Sequence, residues 1–138
     1  PYPTIKKINQ QVSRGELAGM ETFFNSRNES LLILSLGITQ LEFHNAIFGR
    51  MANRKDILFG RETSPADHFG YMNYTSFSHV YKTSRYFILT TPGKDFYRFI
   101  FPEYKEFWRY TEDDFDRLND DSGVDLIYSN GDLTTYLI

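Results

Sequence analysis

The 138-residue chain contains no cysteine. That excludes disulfides, thiolate metal sites and a cysteine nucleophile, and it suits reducing and oxidising surroundings alike. The compartment is left open, with cytoplasm or its equivalent the expectation. No apolar run reaches the roughly 20 residues of a membrane-spanning helix; the longest, LLILSLGI from Leu31 to Ile38, is far too short. No signal-peptide pattern is present, and the chain starts at Pro1 without methionine, which is compatible with a processed or truncated start. Also lacking are a Gly-rich phosphate loop, an HExxH pair and a GxSxG elbow. Basic charge is in short supply: 15 Lys and Arg face 18 Asp and Glu, a net charge of −3. A nucleic-acid binder is usually basic, so this balance argues against one.

What is present describes a globular chain. Hydrophobic residues make up 41% of it, enough for one domain with a core that needs no covalent staples. The charge is split along the chain. Residues 1–61 carry eight basic and five acidic groups, residues 62–138 seven and thirteen. Such a two-signed molecule can orient against its neighbours.

The first half reads as helical. Ile5, Ile8 and Val12 recur at helical spacing behind Thr4, a possible cap. Ser13 can cap a second helix, with Glu16 three residues on completing a capping box and Leu17, Met20 and Phe24 forming its stripe. A longer helix is expected from about Leu31 to Met51, through Leu34, Ile38, Leu41 and Phe48, although LLILSL also fits a buried strand. Gly60, Pro65 and Gly70 then mark a loop over 59–74.

The second half reads as β structure with one helix. Fifteen of the 42 residues from 69 to 110 are Phe, Tyr or Trp, a composition that suits pleated, half-buried strands. YTSFSHVY is expected as a strand. RYFILTT and DFYRFIF flank Thr91-Pro92-Gly93-Lys94, which fits a type II turn, so Ser84–Tyr104 is expected as a hairpin with both faces covered. Thr111 caps a short helix near 112–119, with acids in its first turn. Asn130-Gly131 predicts a closing hairpin with a type I′ turn. The expected fold is α+β, a single domain over 1–138: a helical half (1–58) packed on an antiparallel sheet built from C-terminal hairpins (75–138).

Candidate chemistry is sparse. His44, His68 and His79 fall in three separate elements and form no ligand pattern. Ser78 and His79, as strand neighbours, would point to opposite faces. The acidic run around Gly123 fails the calcium-loop spacing, because Leu118 stands where the first acid belongs; Asp120, Asp121 and Asp125 leave room only for an irregular site. Arg50 and Arg54 share a helical face and, with Lys55 and Arg61, could meet phosphate or an acidic partner. No metal or cofactor is expected.

The aromatic surplus points to contact with a partner. Fifteen rings exceed what a small core needs, and Tyr, Trp and Arg favour interfaces. Tyr86, Tyr97, Arg98, Trp108 and Tyr110 are the expected partner-binding residues.

RGELAGMETFFNSRNESLLILSLGI, followed by GRMANR, resembles the opening helices of phycobiliprotein-type domains, especially that of the phycobilisome core–membrane linker. Arg14, Gly15, Glu16, Leu17, Phe24, Ser26, Leu31 and Ile33, then Arg50, Ala52, Asn53 and Arg54, carry the resemblance over about 40 residues. It implies a helical fold and a linker or assembly role. The second half does not match, and without cysteine no thioether-linked bilin is possible.

The expectation that follows is a non-enzymatic protein–protein interaction module, an accessory subunit of a larger assembly with other protein subunits or copies of itself as partners. The alternatives are an inhibitor or immunity-type protein that blocks an enzyme, and a small nucleic-acid-binding protein; an enzyme comes last.

Overall fold

The computed structural model describes residues 13–36 and 65–138, without the side chain of Ile100. Within these, helices accompany a four-stranded mixed sheet of strand order β1-β2-β4-β3, an α+β arrangement. The strands are β1 (Leu32–Leu36), β2 (Arg85–Thr90), β3 (Asp125–Ser129) and β4 (Leu133–Leu137). The helices are α1 (Arg14–Ser26), α2 (Thr91–Ile100) and α3 (Glu112–Asp120). The expected Thr4–Val12 helix lies outside the described residues.

Helix α1 starts where its sequence says. The Ser13 hydroxyl accepts from the Glu16 amide at 3.0 Å, and the Glu16 carboxylate accepts from the Ser13 amide at 3.3 Å. This satisfies two backbone donors that a helix start otherwise leaves unpaired. Met20, Phe23 and Phe24 form the buried face, whereas Leu17 is largely exposed.

The run LLILSL is a strand, not the opening of a long helix. Leu32–Leu36 runs parallel to β2, with Ile33 opposite Tyr86 and Leu34 opposite Phe87. Buried strands read as continuous apolar runs, and periodicity alone cannot separate them from helix. The expected continuation to Met51 lies outside the described residues.

The sheet is therefore not purely antiparallel, and Ser84–Tyr104 is not a hairpin. β2 ends at Thr90, whose hydroxyl accepts from the Gly93 amide at 3.1 Å and caps α2, with Pro92 in its first turn. Proline in the second position of a turn and proline in the first turn of a helix demand the same φ. The hydroxyl before it decides for the helix.

Side chains of β2 alternate between two cores. Tyr86 and Ile88 join Ile33, Leu133 and the α1 residues Met20, Phe23 and Phe24. Phe87 and Leu89 join Leu34, Phe69, Phe77, Tyr110, Phe115, Leu118 and Tyr136. Both faces of β2 are thus covered from within the chain.

Phe69 is the hub of the aromatic core. Fully buried, its ring lies 4.8 Å from Tyr110, 5.1 Å from Phe77, and 5.5 Å from both Phe87 and Phe115. It reaches that place through a left-handed backbone: φ is 54° at His68, 53° at Phe69 and 76° at Gly70. Bulky residues rarely adopt this region. These four ring contacts, a fifth with Tyr71 at 6.3 Å and the burial of the whole side chain offset the strain. Of the expected loop, Pro65 and Phe69–Tyr71 are thereby built into the core, while Met72, Asn73 and Tyr74 stay exposed.

Phe77–Val80 is a 3-10 turn, not a strand. Ser76 accepts from the Ser78 amide at 3.2 Å and so turns the backbone locally. The short helix α3 matches expectation: Thr111 caps it, and Asp114 completes a capping box with the Thr111 amide at 2.7 Å. The C-terminal hairpin also forms, but its turn is not type I′. Among the loop residues only Gly131 has a positive φ, 91°. The Asn130 side chain instead accepts from the amides of Asp132 and Leu133, both at 3.0 Å.

Candidate functional site

Three of the five expected partner residues belong to the interior. Tyr86 packs edge-on against Phe23 at 5.0 Å, and its hydroxyl accepts from the Asn28 amide at 2.8 Å. The Trp108 indole is buried and donates to the Phe101 carbonyl at 2.7 Å. Tyr110 stacks on Phe69 and donates to the Pro65 carbonyl; burial pushes its hydroxyl pKa above the ordinary tyrosine value. The expectation that these rings face a partner is corrected: each has its apolar body and its polar tip engaged within the chain. Tyr97 is half-buried against the aromatic core. Arg98 alone is exposed, paired with Asp95 at 2.7 Å and with Glu112 at 3.4 Å. Arg50, Arg54, Lys55, Arg61 and His44 lie outside the described residues.

The serine, histidine and aspartate candidates fall into two separate clusters. Both Asp121 oxygens are filled: Oδ1 accepts from Ser76 Oγ at 2.7 Å and the Gly123 amide at 2.9 Å. Oδ2 accepts from Tyr71 Oη and the Phe77 amide, both at 2.8 Å. Burial would raise its pKa, but these hydrogen bonds outweigh it and hold the carboxyl below its ordinary value. Ser76 thus serves a latch between the 65–81 segment and the end of α3, while His79 is exposed. His68 Nδ1 meets Asp114 Oδ2 at 2.6 Å, and the His68 amide donates to the Arg109 carbonyl at 2.7 Å. The same Asp114 belongs to the α3 cap, so this pair ties the strained turn to the helix start. Asp120 and Asp125 are exposed.

Two surface features among the described residues adjoin α2. At its C-terminal end and in the segment that follows, large aromatic side chains are exposed. Phe99, Tyr104 and Phe107 are 53%, 52% and 62% exposed. The Phe107 ring sits 5.9 Å from Tyr104 and 6.3 Å from the half-buried Phe101. The exposed Tyr104–Phe107 ring pair differs from scattered single apolar residues, which are normal on any surface. Glu103, Lys105 and Glu106 are exposed within the same segment, and Glu112 is paired with Arg98 at 3.4 Å.

The patch follows from the sequence once α2 is known. The helix ends at Ile100, Pro102 prevents its continuation, and a 3-10 turn at Lys105–Phe107 follows. This short, irregular run buries Trp108 and turns Tyr104 and Phe107 outward. Sequence reasoning located the aromatic surplus but assigned exposure to the wrong rings. No periodic signal marks which side of an irregular segment is wet.

Along α2, a cleft of about 400 Å³ is lined by residues of α2, α3, β4 and the end of β2. Leu89, Phe115 and Tyr136 belong to its lining, as do Lys94, Arg98 and Asn119.

No protein-family model, curated protein or solved structure matches this chain.

Proposed function

We propose that the protein is a non-enzymatic protein–protein interaction module, an accessory subunit that docks through the patch Phe99–Tyr104–Phe107. The observation that carries this reading is the exposure of three large rings within nine residues, two of them in ring contact range. Aromatic side chains are the commonest anchors of interfaces because they bring large apolar area with few rotatable bonds. Glu103 and Glu106 beside the rings outnumber the exposed Lys105 and favour a partner segment that is basic as well as apolar. The same kind of role is what the phycobilisome-linker resemblance implies for the N-terminal stretch.

The test compares the wild-type chain with the double variant Phe99→Ser, Phe107→Ser in cross-linked affinity purification from the native source. Circular dichroism checks that both fold alike, as expected for exposed positions. A partner recovered by the wild type and lost by the double variant supports the reading. Equal recovery by both chains, or no partner for either, overturns it.

A further inference from the structure

We propose that Asn130 is a site of spontaneous deamidation, guarded by α1 and loosening α1 once it has reacted. Asn130 and Gly131 lie exposed in the loop between β3 and β4. Asparagine followed by glycine is the pair least hindered for ring closure, since the attacking residue carries no Cβ. Among the described residues the Gly131 amide donates to no acceptor, and no atom lies within 4 Å of the place a Cβ would take. The nucleophile is therefore free in the folded chain.

The Gly131 nitrogen gives up its proton and bonds to Asn130 Cγ, closing a succinimide ring. The Cγ–Nδ2 bond breaks, and Nδ2 leaves as ammonia with that proton. Water then opens the ring at either carbonyl and leaves aspartate or isoaspartate at position 130. The turn polarises the carbon under attack. Asn130 Oδ1 accepts from the amides of Asp132 and Leu133, both at 3.0 Å, and the same amides face the negative charge that grows on Oδ1 in the adduct.

The leaving group is held by α1. Asn130 Nδ2 donates to the Gly15 carbonyl at 2.6 Å, in the first turn of that helix. Departure of ammonia breaks this bond, so the reaction waits for the start of α1 to lift. The helix is kept down by Ser13 Oγ, which donates to Asp132 Oδ2 at 3.2 Å, and by Met20, Phe23 and Phe24 packed with Tyr86, Ile88 and Leu133. The product then works against redocking. A carboxylate at position 130 has no proton for the Gly15 carbonyl. It also adds a negative charge near Asp132 and Glu16, whose carboxylates both bond to Ser13. Because ammonia is lost, the change runs one way.

Ageing the full chain at mildly alkaline pH, with peptide mapping by mass spectrometry and detection of isoaspartate, tests this. Conversion at Asn130 is expected, and Gly131→Ala slows it. Ser13→Ala removes the cap of α1 and its tie to Asp132, and speeds conversion about five-fold, the shift that loss of one cap carries. Thr111→Ala removes the cap of α3 at a like cost in stability and leaves the rate unchanged. In hydrogen exchange, Asn130→Asp makes the α1 amides exchange about ten-fold faster and leaves those of α3 as they were. The proposal is overturned if Asn130 does not convert or if Gly131→Ala converts as fast as the wild type. Equal acceleration by Ser13→Ala and Thr111→Ala overturns it too, since the gate is then unfolding of the whole chain. So does unchanged α1 exchange in Asn130→Asp.

Discussion

Replacing Asp121 with alanine removes the acceptor for four donors at once. Tyr71 Oη, Ser76 Oγ and the amides of Phe77 and Gly123 all end within 2.9 Å of its two oxygens. Hydrogen bonds to a charged acceptor contribute about 1.5–3 kcal/mol each, and a buried donor left unpaired costs about 1–3 kcal/mol. The carboxylate is partly accessible, so water can reach some of the donors after the substitution. Ser76 and Tyr71 are themselves buried and gain little from water. The four contacts also act as one network and do not add fully. The net loss expected is about 3 kcal/mol, or roughly 10 °C in Tm for a domain of this size. Asp121→Asn keeps the shape but places an NH2 against two of the donors, and about 2 kcal/mol is expected. Urea denaturation followed by tyrosine and tryptophan fluorescence measures both. The pH dependence has a definite sign. The folded pKa lies below the ordinary value of 3.8, so this stabilisation is present above pH 3.8 and disappears as pH falls through the lower folded value. Asp121→Asn therefore flattens the acid limb of the stability curve below that pH. A loss under about 0.5 kcal/mol for the alanine variant, well short of one charge-assisted bond, would refute the latch.

Phe69→Ala is expected to cost about 3–5 kcal/mol, because it empties the centre of the aromatic core while alanine keeps the Cβ and with it the left-handed strain; a loss near 1 kcal/mol in urea melts would refute the place of Phe69 as the hub. Glu16 is buried beside Asp132, and burial raises its carboxyl above 4.5 against the opposing hydrogen bonds from Ser13. A raised folded pKa means stability that is whole below pH 4.5 and declines as pH rises through the folded value. Glu16→Gln, which can keep the capping box, should then gain stability at pH 7 and lose that gain by pH 4; a variant weaker than wild type at pH 7 contradicts this. Gly131→Ala meets no atom within 4 Å and pays only for a φ of 91°, about 1 kcal/mol. Gly70→Ala adds to a φ of 76° a clash with Val80 Cγ2, so thermal melts should rank it clearly below Gly131→Ala.

The sequence by itself determined the elements whose signals are local. The Ser13–Glu16 capping box and the Thr111 cap start α1 and α3 where read, since a cap involves only residues three apart. Asn130-Gly131 likewise closes the final hairpin, although the Asn130 side chain rather than a second positive φ shapes the turn. The tertiary structure decided everything that depends on what lies opposite. LLILSL became a strand because β2 offered it a parallel edge, and no local period records that. Thr91-Pro92-Gly93 became a helix start because the Thr90 hydroxyl reached the Gly93 amide. It also decided which rings are wet: Tyr86, Trp108 and Tyr110 turned inward, and Phe99, Tyr104 and Phe107 stayed outside. Composition counts rings, but exposure is set by what packs against each one, and in an irregular segment that information exists only once the chain has folded.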